Sequence, residues 1–167
     1  MEQHIPADLE FPVNPVVLST LDRLFATLWV GALWAIGYLA VPILFAHLDD
    51  RMLAGALAGR MFSALSYAGL VAGLSLLAIV ALHREARWRR SRLVMVALMV
   101  LLVAIGEFAI QPVMAELKVQ GLVAGSAQAA RFAIWHGIAS ILYLINSLVG
   151  LVLVALGNGA TVNRAAA

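Results

Sequence analysis

The segment Gly106-Glu107-Phe108-Ala109-Ile110-Gln111-Pro112 places a carboxylic acid and a carboxamide one helical turn apart, inside a run that is otherwise hydrocarbon. An ionised, unpaired carboxyl at membrane depth is unfavourable by several kcal/mol. Glu107 must therefore be protonated, or paired with a cation such as Arg60 or a protonated His136. Either state makes it a proton carrier or a small-solute or ion site. At ~1.5 Å per residue, Glu107 lies about 12 Å inside its end of the helix and His136 about 7 Å inside the same end of the last helix. Gln111, Ser140, Tyr38 and Tyr67 fall at similar depth, with Arg60 and His47 at the mouth of the group. The same residues can instead hydrogen-bond four helices into register. The only histidines on that side are His47 and His136, and without a thiolate they make a sparse metal or haem site, so no cofactor is expected and metal or haem binding ranks low. Ser140 lies four residues from His136 on one helix, a placement that seldom gives nucleophile-to-base geometry, so the chain reads as a non-enzyme.

Positioning these groups is the work of long apolar helices. The chain of 167 residues is 63% hydrophobic and 12% charged, far from the roughly 45–50% and 25% of soluble domains. Charges are absent from Leu24 to Ala46, Met61 to Leu82, Leu93 to Gly106 and, apart from His136, Phe132 to Asn163. With the third run extended through Glu107, each reaches the ~20 residues that cross a bilayer. The expected fold is an all-α four-helix transmembrane bundle, with helices at about 20–46, 60–82, 93–115 and 131–156 and tails over 1–18 and 158–167. The first run is too long for a signal peptide and follows an acidic, proline-bearing tail. There is no cysteine, which removes disulfides and thiol chemistry.

Five arginines fall between Arg84 and Arg92, with Trp88 among them. The positive-inside rule puts this loop in the cytoplasm, and with it both termini of a multi-pass protein. Contact with anionic lipid headgroups explains the basic excess, so nucleic acid is not an expected partner. Ser19-Thr20-Leu21-Asp22 reads as a capping box opening helix one. Ala54 to Gly59 reads as an interfacial turn before helix two. Gly69 and Gly73 form a GxxxG pair suited to close helix packing within the chain or, less simply, to a homo-oligomer or another membrane protein. Gly37-Tyr38-Leu39-Ala40-Val41 followed by Pro42 parallels Gly106-Glu107-Phe108-Ala109-Ile110 before Pro112, and Arg60 and Phe62 parallel Arg131 and Phe132. These parallels suggest two hairpins related by parallel duplication, with Tyr38 equivalent to Glu107.

Trp29-Val30-Gly31, Gly37 through Phe45, Ala54-Gly55, Arg60-Met61-Phe62, Ile110-Gln111-Pro112 with Met114, and Phe132 with His136-Gly137 and Ser140 together resemble the domain-of-unknown-function 4149 family, the bacterial relatives of transmembrane protein 205. The resemblance spans roughly residues 20 to 157. It implies a four-helix inner-membrane protein without an assigned activity, and marks His136, Ser140, Pro42 and Pro112 as positions of the family's pattern. Three functions then compete: solute, ion or proton transport through the polar cluster, a non-catalytic membrane scaffold or assembly factor, and haem or metal binding.

Overall fold

The computed structural model describes residues 14–82 and 89–162. It is all-helical over those residues. The first span runs through α1 (Pro15–Trp34), a π-helical segment (Ala35–Ala40) and α2 (Val41–His47). It returns as α3 (Arg51–Leu82). The third span repeats the pattern of the first, with α4 (Arg89–Ala104), a second π segment (Ile105–Ile110) and α5 (Gln111–Val119), and α6 (Ala127–Val162) closes the chain. Four helical spans among the described residues are long and apolar enough to cross a membrane, and the chain is a multi-pass membrane protein. Val71, Leu101, Ile141 and Leu144 are among the apolar side chains turned outward, as lipid contact requires.

Each π segment is followed by a proline at the second position of the next helix, Pro42 and Pro112. Proline has no N–H to donate and its ring crowds the carbonyl of the preceding turn. The backbone responds by widening: Val41 N–H bonds to Ile36 O and Gln111 N–H to Gly106 O, five residues back in place of four. Each proline is thus preceded by a π-helical turn, which carries Tyr38 in one span and Glu107 in the other.

The helices close a ring, α1 against α3 and α6, and α4 against the same two. Ala26, Trp29, Val30 and Leu33 from α1 meet Leu65 and Leu76 of α3, Val96 and Met99 of α4 and Leu153 of α6 in one core. Beyond the π segments the packing changes partner: α2 lies on α3 and α5 on α6, within each hairpin, and the extensive contacts between hairpins stop. The bundle is thus tightest at the end carrying Arg89 and Arg92, the arginine end, and looser at the proline end.

Several boundaries differ from the sequence expectation. Helix one begins at Pro15 and not at Ser19, because Asn14 caps it, its Oδ1 accepting Val16 N–H at 2.9 Å, and proline is tolerated in a first turn whose N–H groups are unpaired anyway. Ser19 and Thr20 donate back to Val16 O, which is inconsistent with a cap. Ala54 to Gly59 is no separate turn: α3 starts at Arg51, with Asp50 Oδ1 accepting from Met52 and Leu53 N–H. The third span extends to Val119, and α6 runs on to Val162 into the segment expected as a tail. Residues 1–13, 83–88 and 163–167 lie outside the described residues, and with them Arg84, Arg87 and Trp88 of the basic loop. Replacing Asn14 with alanine is expected to destabilise the protein by about 1 kcal/mol, read from its unfolding midpoint in detergent.

Candidate functional site

Gly69 and Gly73 illustrate how the sequence permits the core to close. A Cβ on Gly69 would stand 2.5 Å from Trp29 Nε1, and one on Gly73 would overlap Val100 Cγ2 and approach the Trp29 ring at 3.0 Å. The GxxxG pair is therefore filled from within the chain, by Trp29 and Val100.

Tyr143 plays the corresponding part beside the first π segment. Its phenol lies against Gly37, where any Cβ would overlap Tyr143 Cε1, and its hydroxyl donates to Leu33 O at 2.5 Å. Phe62 meets the Tyr143 ring edge-on at 5.2 Å, Tyr38 lies 6.0 Å from it, and Trp34 lies 4.7 Å from Tyr38. This aromatic group closes the core where the two hairpins begin to separate. Tyr143 and Phe62 are absent from the sequence-derived site. The usable signal was the seven-residue spacing of Tyr143 from His136, which puts both on one face of α6, but nothing in the sequence shows that Gly37 is the surface that receives it.

On the other side of the bundle, Gln111 Nε2 donates to Ser63 Oγ at 3.5 Å, joining α5 to α3. The Gln111 amide and Lys118 Nζ stand 4.0 and 3.9 Å from the place a Gly59 Cβ would take. Lys118 also lies 5.6 Å from the Phe132 ring centroid, and Phe132 stacks on His136 at 5.9 Å. Lys118 is thus the cation that links α3, α5 and α6 at this end. A third helix ending near Ala115, as expected from the sequence, would leave Lys118 in the connection beyond it.

One turn deeper, Glu107 is half-buried on the second π segment and makes no hydrogen bond or ion pair among the described residues. It sits about 18 Å from the Val119 end of a span about 46 Å long, within a centred hydrocarbon layer of about 30 Å. The structure does not join it to His136 or Arg60 by a hydrogen bond or ion pair. His136 and Arg60 are exposed, and Ser140 donates to the His136 carbonyl of its own helix at 2.8 Å. The reason is directional: Ser140 and His136 share a helix, and a short hydroxyl reaches its own turn before a neighbour. Tyr67 is exposed and meets Phe108 at 6.5 Å, which fixes α3 beside the second π segment at the depth of Glu107. His47 is exposed at the end of α2. No three His, Asp or Glu side chains converge as metal ligands would among the described residues. The expected single cluster is therefore two flanks: Tyr38 with Tyr143 on one side, and Glu107, Gln111 and Tyr67 on the other, with His136 reached through Lys118 and Phe132.

At the arginine end, Arg92 Nη2 contacts Asp22 Oδ2 at 2.7 Å, and Arg92 Nη1 donates to Leu153 O at 3.5 Å. Arg89 donates to Val80 O and Ala81 O and so satisfies carbonyls at the end of α3. Two members of the basic loop region are thus structural ties.

A family model described as a domain of unknown function (DUF4149) matches residues 24–123. No curated protein and no solved structure matches the chain.

Proposed function

The chain belongs to the DUF4149 family, and on that premise we propose that it is a membrane carrier for a proton, an ion or a small solute, with Glu107 as the binding carboxyl. The observation that carries this reading is an acid held half-buried within a membrane span with no hydrogen-bond or ion-pair partner among the described residues. A group so costly to keep there is a functional site by default. Its position supports the reading: a π-helical turn offers backbone groups outside the regular ladder, and the looser packing beyond that turn gives access from the proline end. By the positive-inside rule the arginine end faces the cytoplasm of the bacterial inner membrane, both termini lie there, and Arg90 with the other basic loop residues meets anionic headgroups. Glu107 is then loaded from outside.

Purified protein in liposomes is expected to carry a proton or cation flux that Glu107→Gln lowers at least tenfold while the unfolding midpoint is retained. A wild-type flux no greater than that of empty liposomes, or one unchanged in the variant, contradicts the carrier. The second reading is a membrane scaffold or assembly factor, favoured by the Gln111 to Ser63 and Tyr143 to Leu33 bonds, which tie helices together without any ligand.

A further inference from the structure

The contacts around the core repeat in a register that sequence comparison did not find. Asp22 and Arg92 stand 70 positions apart, as do the starts of the two π segments, Ala35 and Ile105, and the prolines, Pro42 and Pro112. Gly73 is closed by Trp29 and Val100, and Gly150 by Val30 and Met99. Moving 70 positions turns Trp29 into Met99 and Val30 into Val100, so the two glycines see the same pair with the hairpins exchanged. Gly73 and Gly150 are themselves 77 apart, as are Leu76 and Leu153, both fully buried. The additional seven residues are close to two helical turns, so α3 and α6 keep the same face inward. The longer second connection, Gln120 to Ser126 against Leu48 to Asp50, supplies most of them. A residue can touch its own counterpart only on the axis relating the halves, and Asp22 touches Arg92. The first and third spans run in the same direction, so the axis lies along the bundle and passes near that contact.

This register replaces the pairing of Tyr38 with Glu107. It sets Glu107 against Gly37, Ser66 against Tyr143, and Val103 against Leu33. In the first half the Tyr143 phenol covers Gly37 and donates to the Leu33 carbonyl. In the second half the corresponding residues are a carboxyl and a hydroxymethyl, and the Val103 carbonyl receives no side-chain donor among the described residues. Ser66 is half-buried and makes no hydrogen bond among them, whereas Ser75, Ser140 and Ser147 each donate to the carbonyl four residues back. The Gln111 to Ser63 bond lies one turn toward the proline end on the same two spans.

We propose that the two hairpins are pseudo-twofold related, and that Glu107, Ser66 and the Val103 carbonyl form a monovalent-cation site at the place the Tyr143 phenol fills in the other half. This deepens the carrier reading and rests on it for the ligand's passage, though not for its binding. The donor set is all oxygen, which suits a hard cation or one bearing N–H donors. It carries a single negative charge in a low-dielectric setting, which one positive charge neutralises and two would not.

Two measurements on the full chain in phosphatidylethanolamine and phosphatidylglycerol nanodiscs test this. Ser66→Tyr alone is expected to lower the unfolding midpoint, because Glu107 stands where the phenol must go. Combining it with Glu107→Gly is expected to recover at least half of the loss, by rebuilding the closed half. A double variant no more stable than Ser66→Tyr overturns the register, whatever the protein transports. In the second measurement sodium, potassium or ammonium chloride, against choline chloride at equal ionic strength, is expected to raise the wild-type midpoint saturably, with the rise abolished in Glu107→Gln and in the double variant. The most effective ion identifies the class. No rise above choline with any of the three, or an equal rise in Glu107→Gln, overturns the site. A rise without flux in liposomes leaves the site standing and removes only the carrier.

Discussion

Replacing Asp22 with alanine is expected to destabilise the protein by about 3 kcal/mol, the cost of removing one partner of a buried ion pair. The side chains of Arg92 and Asp22 are 14% and 16% exposed, and the 2.7 Å contact spans from α1 to α4 across the bundle. Asp22 Oδ1 and Arg92 Nε are already buried without partners among the described residues, so little of the guanidinium is satisfied elsewhere. Loss of the carboxylate leaves Arg92 with the 3.5 Å bond to the Leu153 carbonyl among core leucines. Asp22→Asn keeps an acceptor of the same shape and is expected to cost less than half as much. Unfolding midpoints of the two variants in mild detergent check the order; equal, small losses would mean that the pair is solvated in practice.

The second large effect is expected at Gly73. Gly73→Val should destabilise by about 3 kcal/mol or more, beyond the usual range for one added methylene, because the added carbons overlap both Val100 and the Trp29 ring. The neighbouring elements cannot yield easily: Trp29 is seated on Gly69 as well, and Val100 follows Met99, which is itself fully buried. Gly31→Val is the matched control, since a Cβ there meets nothing within 4 Å, and it is expected to change stability by less than about 0.5 kcal/mol. Comparable losses for both glycines would show that helix propensity and not packing governs these positions.

The legible part of the fold follows from the solvent. Long, predominantly apolar runs such as Leu24 to Ala46 and Phe132 to Asn163 favour membrane-spanning helices, because lipid offers backbone groups no partner. Helix ends were less legible, since Pro15 reads as a breaker until Asn14 is seen to cap it. The third helix, expected to end near Ala115, extends to Val119, since charged residues such as Glu116 and Lys118 tolerate a helix that projects beyond the bilayer.

For the site, the sequence by itself determined that Glu107 is an acid at membrane depth, one turn from Gln111, and that the chain is a four-helix membrane protein. These are one-dimensional properties: hydrocarbon length, charge gaps and the 3.6-residue period. Only the tertiary structure decided which polar groups meet. Gln111 finds Ser63, Tyr143 finds the Leu33 carbonyl and Asp22 finds Arg92, while Glu107 finds none of the partners proposed for it. Such pairings depend on the rotation and relative slide of whole helices. A small residue such as Gly37 or Gly73 sets these by admitting a ring from another helix, and its own sequence neighbourhood does not show which ring will come.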